Sequence, residues 1–219
     1  MNTIDKLHYI SQQSLTFSHL DAIKKALQAG CKWIQLRIKD ESAEDVSEIA
    51  SKARVLCESF QARLIINDYA DIALKSGADG LHLGEHDLPV HQARQLLGGR
   101  LIIGATANTF EQIVRHAQDG ADYIGLGPYR FTSTKKNLSP VLGLDGYARI
   151  MEQVNAAKIH IPVIAIGGIL TEDLPAILQT GIYGVALSGA ITNAADGAVT
   201  VKFIKQALSV PALKSVHLN

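Results

Sequence analysis

The sequence predicts an α/β fold, a single (β/α)8 TIM barrel. Three observations carry that prediction. Eight short apolar runs alternate with segments whose apolar residues recur at helical spacing. The length of 219 residues suits one large domain, 1–219, better than two small ones. A helix-ending glycine followed by strand entry recurs as AGC (29–31), SGADG (76–80), DGADY (119–123) and TGIYG (180–184), ahead of the second, fourth, sixth and eighth strands. This is repetition of a supersecondary unit, not a solenoid. A doubly wound open sheet fits less well, because no Gly-x-Gly-x-x-Gly follows the first strand.

The first strand is expected at Leu7–Ile10, and the first helix at Ser18–Ala29 with Leu20, Ile23 and Leu27 as its inner stripe and Gly30 as its stop. The second strand, Trp33–Ile38, alternates Trp33, Gln35 and Arg37 on one face with Ile34, Leu36 and Ile38 on the other. A helix from Ser42 to Ser59 opens on Ser42-x-x-Asp45, which resembles a capping box. Strands at Arg63–Ile66 and Gly80–Leu83 flank a short helix, Asp71–Ser76, and a fourth helix follows Pro89. The fifth strand is expected at Leu101–Gly104, its helix at Thr109–Gln118, and the sixth strand at Tyr123–Leu126. The loop 127–143 is the longest stretch without apolar periodicity, and long loops in compact domains tend to be functional. A helix at Asp145–Ala157, a strand at Pro162–Ile166, a helix at Thr171–Gln179, a strand at Gly184–Leu187 and a helix at Ala198–Leu208 complete the barrel. The segment 210–219 is expected to be a loose C-terminal tail.

Lys+Arg and Asp+Glu are each 21, and no basic run or row of aromatics offers a nucleic-acid surface. An anionic small molecule would need a local cluster of donors. The 47% hydrophobic content argues against disorder. Residues 1–6 lack the apolar core of a signal peptide, and the longest apolar run, 161–166, is too short to span a membrane. Cys31 and Cys57 suit buried, reduced thiols. The expectation is a soluble cytoplasmic protein acting on small molecules, without nucleic-acid or membrane partners and with room for a homo-oligomer.

Chemistry in α/β barrels sits at the C-terminal ends of the strands. Gln35, Arg37 and Lys39 share one face at the end of the second strand, where Arg offers a planar fork and Lys a point charge to phosphate. Asn67-Asp68 end the third strand, and Asp87 follows the fourth. Two carboxylates on adjacent strand ends suit a hard cation such as Mg2+, although Asp68 equally suits a helix cap and Asp87 a turn. His82 and His86 have no zinc spacing, and His82 reads as a packed or surface residue. The loop after the sixth strand carries Thr132, Ser133 and Thr134 beside Lys135 and Lys136, groups that suit phosphate. Gly167-Gly168 and Ser188-Gly189 end the last two strands, where barrels often hold phosphate on backbone N–H groups. Two phosphate sites and a cation between acidic strand ends fit two phosphorylated partners or one long ligand.

QLRIKD (35–40), NDYADIALKSGADGLHLGEHDLP (67–89), GPYRFTSTKK (127–136), AIGGI (165–169) and the Ser188-Gly189 region, in that order, resemble the thiamine-phosphate synthase family over roughly residues 7–192. The resemblance implies a transferase on a (β/α)8 barrel. Such an enzyme joins 4-amino-5-hydroxymethyl-2-methylpyrimidine diphosphate to 4-methyl-5-(2-phosphooxyethyl)thiazole, giving thiamine phosphate and pyrophosphate with Mg2+ as cofactor. It implies that Arg37, Lys39 and Lys135 hold the pyrophosphate and act in catalysis, and that Asp68 and Asp87 ligate Mg2+. Gln35 and Asn67 would meet the pyrimidine or its diphosphate. Thr132 and Thr134, with the backbone of Gly168 and Ser188, would hold the thiazole phosphate, and Leu187 is a further substrate-binding position. The implied mechanism is dissociative: pyrophosphate leaves, and the thiazole nitrogen captures a pyrimidine-methyl cation. The chain departs from the family after the fifth strand, where Gly-x-Ser-x-His is replaced by Gly104-Ala105-Thr106-Ala107-Asn108. Thr106 keeps a hydroxyl for the pyrophosphate, whereas Asn108 replaces the histidine. The alternatives are a thiazole tautomerase of the same fold, which the resemblance gives a histidine near this position, a non-catalytic sensor of phosphorylated ligands, and another phosphate-binding barrel.

Overall fold

A computed structural model describes residues 3–39, 41–131 and 139–210. Eight parallel strands close into a barrel in chain order. They are β1 (Leu7–Ile10), β2 (Trp33–Leu36), β3 (Arg63–Asn67), β4 (Gly80–Leu83), β5 (Ile102–Ala107), β6 (Tyr123–Leu126), β7 (Val163–Ile166) and β8 (Gly184–Leu187). The helices are α1 (His19–Gln28), α2 (Ala43–Ser59), α3 (Ala70–Lys75), α4 (Val90–Leu97), α5 (Phe110–Gln118), α6 (Gly143–Ala156), α7 (Leu174–Gln179), α8 (Gly189–Thr192) and α9 (Gly197–Ser209). No helix among the described residues is long and apolar enough to cross a membrane.

Strand periodicity sorts the core into two layers. Ile10, Trp33, Ile65, Ile102, Tyr123, Ile164 and Ala186 fill the barrel interior. Leu7, Tyr9, Ile34, Leu36, Leu64 and Ile66 pack outward against the helices. The expected alternation along β2 is therefore observed, with Trp33 inside and Ile34 and Leu36 outside.

The recurrent Gly-Ala-Asp has a physical role at the end of the barrel away from the strand C-termini. Asp79 accepts the backbone N–H of Leu64 at 2.8 Å and pairs with Arg54 of α2 at 2.6 Å. Asp122 does the same with Ile103 N–H at 2.8 Å and Arg94 of α4 at 2.6 Å. Each aspartate enters one strand and locks the start of its neighbour. This is the face of the fold where specific residues serve stability.

Several boundaries differ from expectation. β2 stops at Leu36 rather than Ile38, and β5 runs on to Ala107 instead of ending at Gly104. The extra β5 residues are small, so they lack the apolar bulk that marks a strand. Gly104 is required there because a Cβ would lie 2.1 Å from the Tyr123 ring. A 3-10 turn, Thr171–Asp173, precedes α7, and the single-turn α8 carries no helical periodicity to find. Ser42 caps α2 by accepting the Asp45 N–H at 3.1 Å, while full capping boxes form at Ser18 and Asp21 and at Thr109 and Gln112.

His8 sits inside the barrel, stacked on Trp33 at 4.3 Å with Nε2 2.8 Å from the Asp5 carbonyl. Burial pulls its pKa down to about 3, against a raising influence from the Asp5 carbonyl. A depressed histidine is neutral when folded, so its contribution is intact above pH 6.5 and is lost as pH falls toward 3. Urea melts should show stability falling by about 1.4 kcal/mol per pH unit from this group below pH 6.5. His8→Phe should remove that slope while lowering stability at neutral pH; an unchanged slope would place the acid sensitivity elsewhere.

Candidate active site

The rim formed by the ends of β2, β3, β4 and β5 gathers most of the polar residues singled out in the sequence. The register places Asn67 beside His82 and His82 beside Gly104. Gln35 and Asn67 are buried, and Gln35 Nε2 donates to Asn67 Oδ1 at 2.8 Å. Two side chains that each need partners in a buried position thus satisfy one another.

Above them lies a charged group. Arg37 is partly buried between the fields of Asp68 and Asp87; burial lowers its pKa, and those two carboxylates oppose the shift. Its backbone N–H donates to Ser11 Oγ at 3.1 Å, and that hydroxyl lies 2.8 Å from His19 Nδ1. Lys39 pairs with Asp68, but with 47% of its side chain exposed the pair is worth only about 0–1 kcal/mol. The lysine can therefore exchange this partner for an incoming anion at little cost.

Asp68 does not cap a helix. The residue before α3 is Tyr69, which makes no side-chain cap, and Asp68 itself is left-handed with φ 69°. Only a few per cent of non-glycine residues adopt this conformation, which turns the carboxylate back over the rim. Asp87 does brace a turn, accepting the Gly84 N–H at 2.6 Å, and a Cβ on Gly84 would lie 2.8 Å from that carboxylate.

The two carboxylates lie close enough to shift each other's titration. Burial and then the Asp87 carboxylate push the pKa of Asp68 up to about 6, against the pull of Lys39. Burial acts to raise Asp87 too, but the Asp68 carboxyl, the Gly84 N–H and the charge of Lys39 bring it below the usual range. Repulsion between two like charges therefore makes Asp68 the first of the two to take up a proton, as pH falls through about 6.

On β5, Thr106 Oγ1 lies 3.1 Å from His82 Nε2, and His82 Nδ1 lies 2.9 Å from the Tyr123 hydroxyl. His82 is a packed residue, as expected, but it joins this chain rather than filling space alone. Period-two alternation was the available signal: His82 is the inward residue of Leu81-His82-Leu83.

The loops after β6, β7 and β8 complete the rim. Arg130 binds both carboxylate oxygens of Asp173 at 2.7 and 2.8 Å and the Gly168 carbonyl at 2.9 Å. Gly168 has φ 68°, and a Cβ there would meet Arg130 Cγ at 2.5 Å. Its glycine therefore serves the packing of the β6 loop as well as any ligand. Ser188 Oγ donates to the Ile10 carbonyl at 2.7 Å, which leaves its backbone as the group a ligand would meet. The Leu187 side chain packs in the layer facing the helices. Thr132, Thr134 and Lys135 lie outside the described residues. Asn108, the departure noted in the sequence, is a brace: its Nδ2 donates to Gly127 O at 2.9 Å and Pro140 O at 2.8 Å, joining the two ends of the loop.

A family model described as thiamine monophosphate synthase matches residues 7–191. The chain is 54% identical over 190 residues to a thiamine-phosphate synthase of Bacteroides fragilis, covering 87% of this chain and 93% of that protein. It is 44% identical over 204 residues to one of Flavobacterium johnsoniae, covering 93% and 96%. A solved thiamine phosphate pyrophosphorylase from Pyrococcus furiosus superposes with a TM-score of 0.80 at 32% identity, over 93% of this chain and 95% of that one. A 3-hexulose-6-phosphate synthase at 18% identity, TM-score 0.70, shares the fold alone.

The brace at Asn108 makes a stability prediction. Asn108→Ala strips two carbonyls of their donor and should cost roughly 1–3 kcal/mol in a urea melt. Asn108→Asp, which cannot donate, should cost at least as much; full stability in both variants would mean the loop ends are held by other contacts.

Proposed function

The chain belongs to the thiamine monophosphate synthase family, and from that premise we propose how its rim performs the reaction. The activity is that of a thiamine-phosphate synthase, a transferase. In our reading the substrates are hydroxymethylpyrimidine diphosphate and hydroxyethylthiazole phosphate. The C–O bond to pyrophosphate breaks with its electron pair on the leaving oxygen. The thiazole nitrogen lone pair then closes a C–N bond on the pyrimidine methylene, giving thiamine phosphate and free pyrophosphate.

The observation that carries this reading is the convergence of Arg37, Lys39, Asp68 and Asp87 on adjacent strand ends. A diphosphate leaving group needs positive charge aimed at its oxygens as the bond breaks, and no protein nucleophile. Arg37, held by Ser11 through its backbone, presents a fork; Lys39 presents a mobile point charge. The linked Gln35 and Asn67 face the pyrimidine end, and Thr106 adds a hydroxyl to the diphosphate. The backbones of Gly168, Leu187 and Ser188, with Thr132 and Thr134, receive the thiazole phosphate.

The donor set also fits Mg2+. Two hard carboxylates whose charges oppose one another are a place where a cation can relieve the repulsion, and Mg2+ needs few protein ligands when substrate phosphate supplies others. When bound, Mg2+ would neutralise charge on the leaving pyrophosphate. Asp68 and Asp87 would hold it, and Lys39 would turn from Asp68 to the diphosphate.

The deciding experiment is a coupling assay with both phosphorylated halves, with and without Mg2+. Product should form only with the metal, and Asp68→Ala should lower turnover by about a hundredfold or more without loss of fold. Turnover that ignores both the metal and the substitution would refute the cation site. Lys135→Ala should lower kcat more than it raises the KM for the thiazole phosphate, since its charge is used as the bond breaks. A loss confined to thiazole affinity would assign it to the other phosphate.

A further inference from the structure

We propose that Tyr123 is a positioning residue that acts through His82 to present Thr106 as a hydrogen-bond donor to the anionic half of the substrate. The proposal rests on the reading that the Thr106 hydroxyl meets the pyrimidine diphosphate.

The chain of contacts is short and built into the barrel. The Tyr123 hydroxyl lies 2.9 Å from His82 Nδ1, and His82 Nε2 lies 3.1 Å from Thr106 Oγ1. Two glycines clear its path. A Cβ on Gly104 would sit 2.1 Å from the Tyr123 ring, and one on Gly125 would sit 3.1 Å from His82 Cε1. The Tyr123 ring is held edge-on against His8 and Trp33, at 5.0 and 5.6 Å. The Thr106 carbonyl is fixed by His116 Nε2 at 3.1 Å.

Hydrogen-bond bookkeeping sets the direction. Tyr123 is 1% exposed, and burial raises its pKa, so its hydroxyl keeps its proton. Among the described residues, the acceptor within its reach is His82 Nδ1. A proton on Nδ1, whether in the other neutral tautomer or in a charged ring, would strand the tyrosine hydrogen in the core at a cost of about 1–3 kcal/mol. Tyr123 therefore donates, His82 carries its hydrogen on Nε2, and Thr106 Oγ1 accepts from it. The Thr106 hydrogen is left to point into the site, where an anion would accept it. A threonine with no neighbour donating to it would be free to accept instead, which an anion cannot use.

The tautomer is directly measurable. Nitrogen-15 spectra of the wild-type protein near pH 7 should show His82 protonated on Nε2; protonation on Nδ1 would overturn the proposal without any variant. Tyr123→Phe keeps the ring over Gly104 and removes only the donor. It should shift His82 toward the other tautomer and lower kcat about ten- to hundredfold, with the KM for the thiazole phosphate unchanged. Thr106→Ala should lose about as much, Thr106→Ser should recover most of it, and Tyr123→Phe combined with Thr106→Ala should be no worse than Thr106→Ala alone. Multiplying losses in the double variant, or wild-type kcat in Tyr123→Phe, would overturn the relay. Wild-type kcat in Thr106→Ala would instead overturn the placement of Thr106 against the diphosphate, with the tautomer measurement still reading the relay separately.

Discussion

Closing eight parallel strands into a ring commits every strand to two buried faces and leaves only the strand ends for chemistry. The rest of the molecule depends on that constraint. The interior has a limited volume, so a large inward residue on one strand demands a small one beside it. Trp33 and Tyr123 occupy the centre, and Gly104 and Gly125 are the space they and His82 require. The polar layer, Gln35, Asn67, His82 and Thr106, sits directly above this plug. A buried polar layer survives only if its members satisfy one another, and here the contacts run across strands rather than along them.

The rim above that layer stores opposed charge. Asp68 and Asp87 repel, and the repulsion helps to raise the pKa of Asp68. Lys39 and Arg37 lower the remaining cost but are only partly removed from water. Such an arrangement is weakly stabilising as a set of ion pairs and is better suited to exchanging partners than to holding the fold. Two bracing ion pairs lie at the opposite end, where Arg54 and Arg94 meet Asp79 and Asp122 and each aspartate also accepts a strand N–H. These two pairs brace the barrel far from the charges of Lys39, Asp68 and Asp87.

A second set of contacts shapes the far side of the rim. Arg130 links the β6 loop to the β7 loop through Gly168 and Asp173, and Asn108 joins the β6 loop's two ends to β5. Both residues act through backbone carbonyls as well as side chains. The Asn108 amide supplies two donors, which two carbonyls from opposite ends of a loop require and which a neutral imidazole cannot offer.

The eight strands, their order and the inward Trp33 and Gln35 were legible in the chain because a strand's faces alternate with period two, a local property. The acidic and basic residues after β2, β3 and β4 were legible for the same reason, as polar residues directly after apolar runs. The end of β5 was not, because Gly104 is small for the sake of Tyr123, a residue on the next strand, and Ala105 to Ala107 lack the apolar bulk that marks a strand. Nor was the choice between cap and ligand for Asp68, which turns on a left-handed backbone and on a carboxylate from β4's loop. Local alternation dictates which way a side chain faces. Which side chains then meet depends on register and closure, and these are settled by packing between segments distant in the chain.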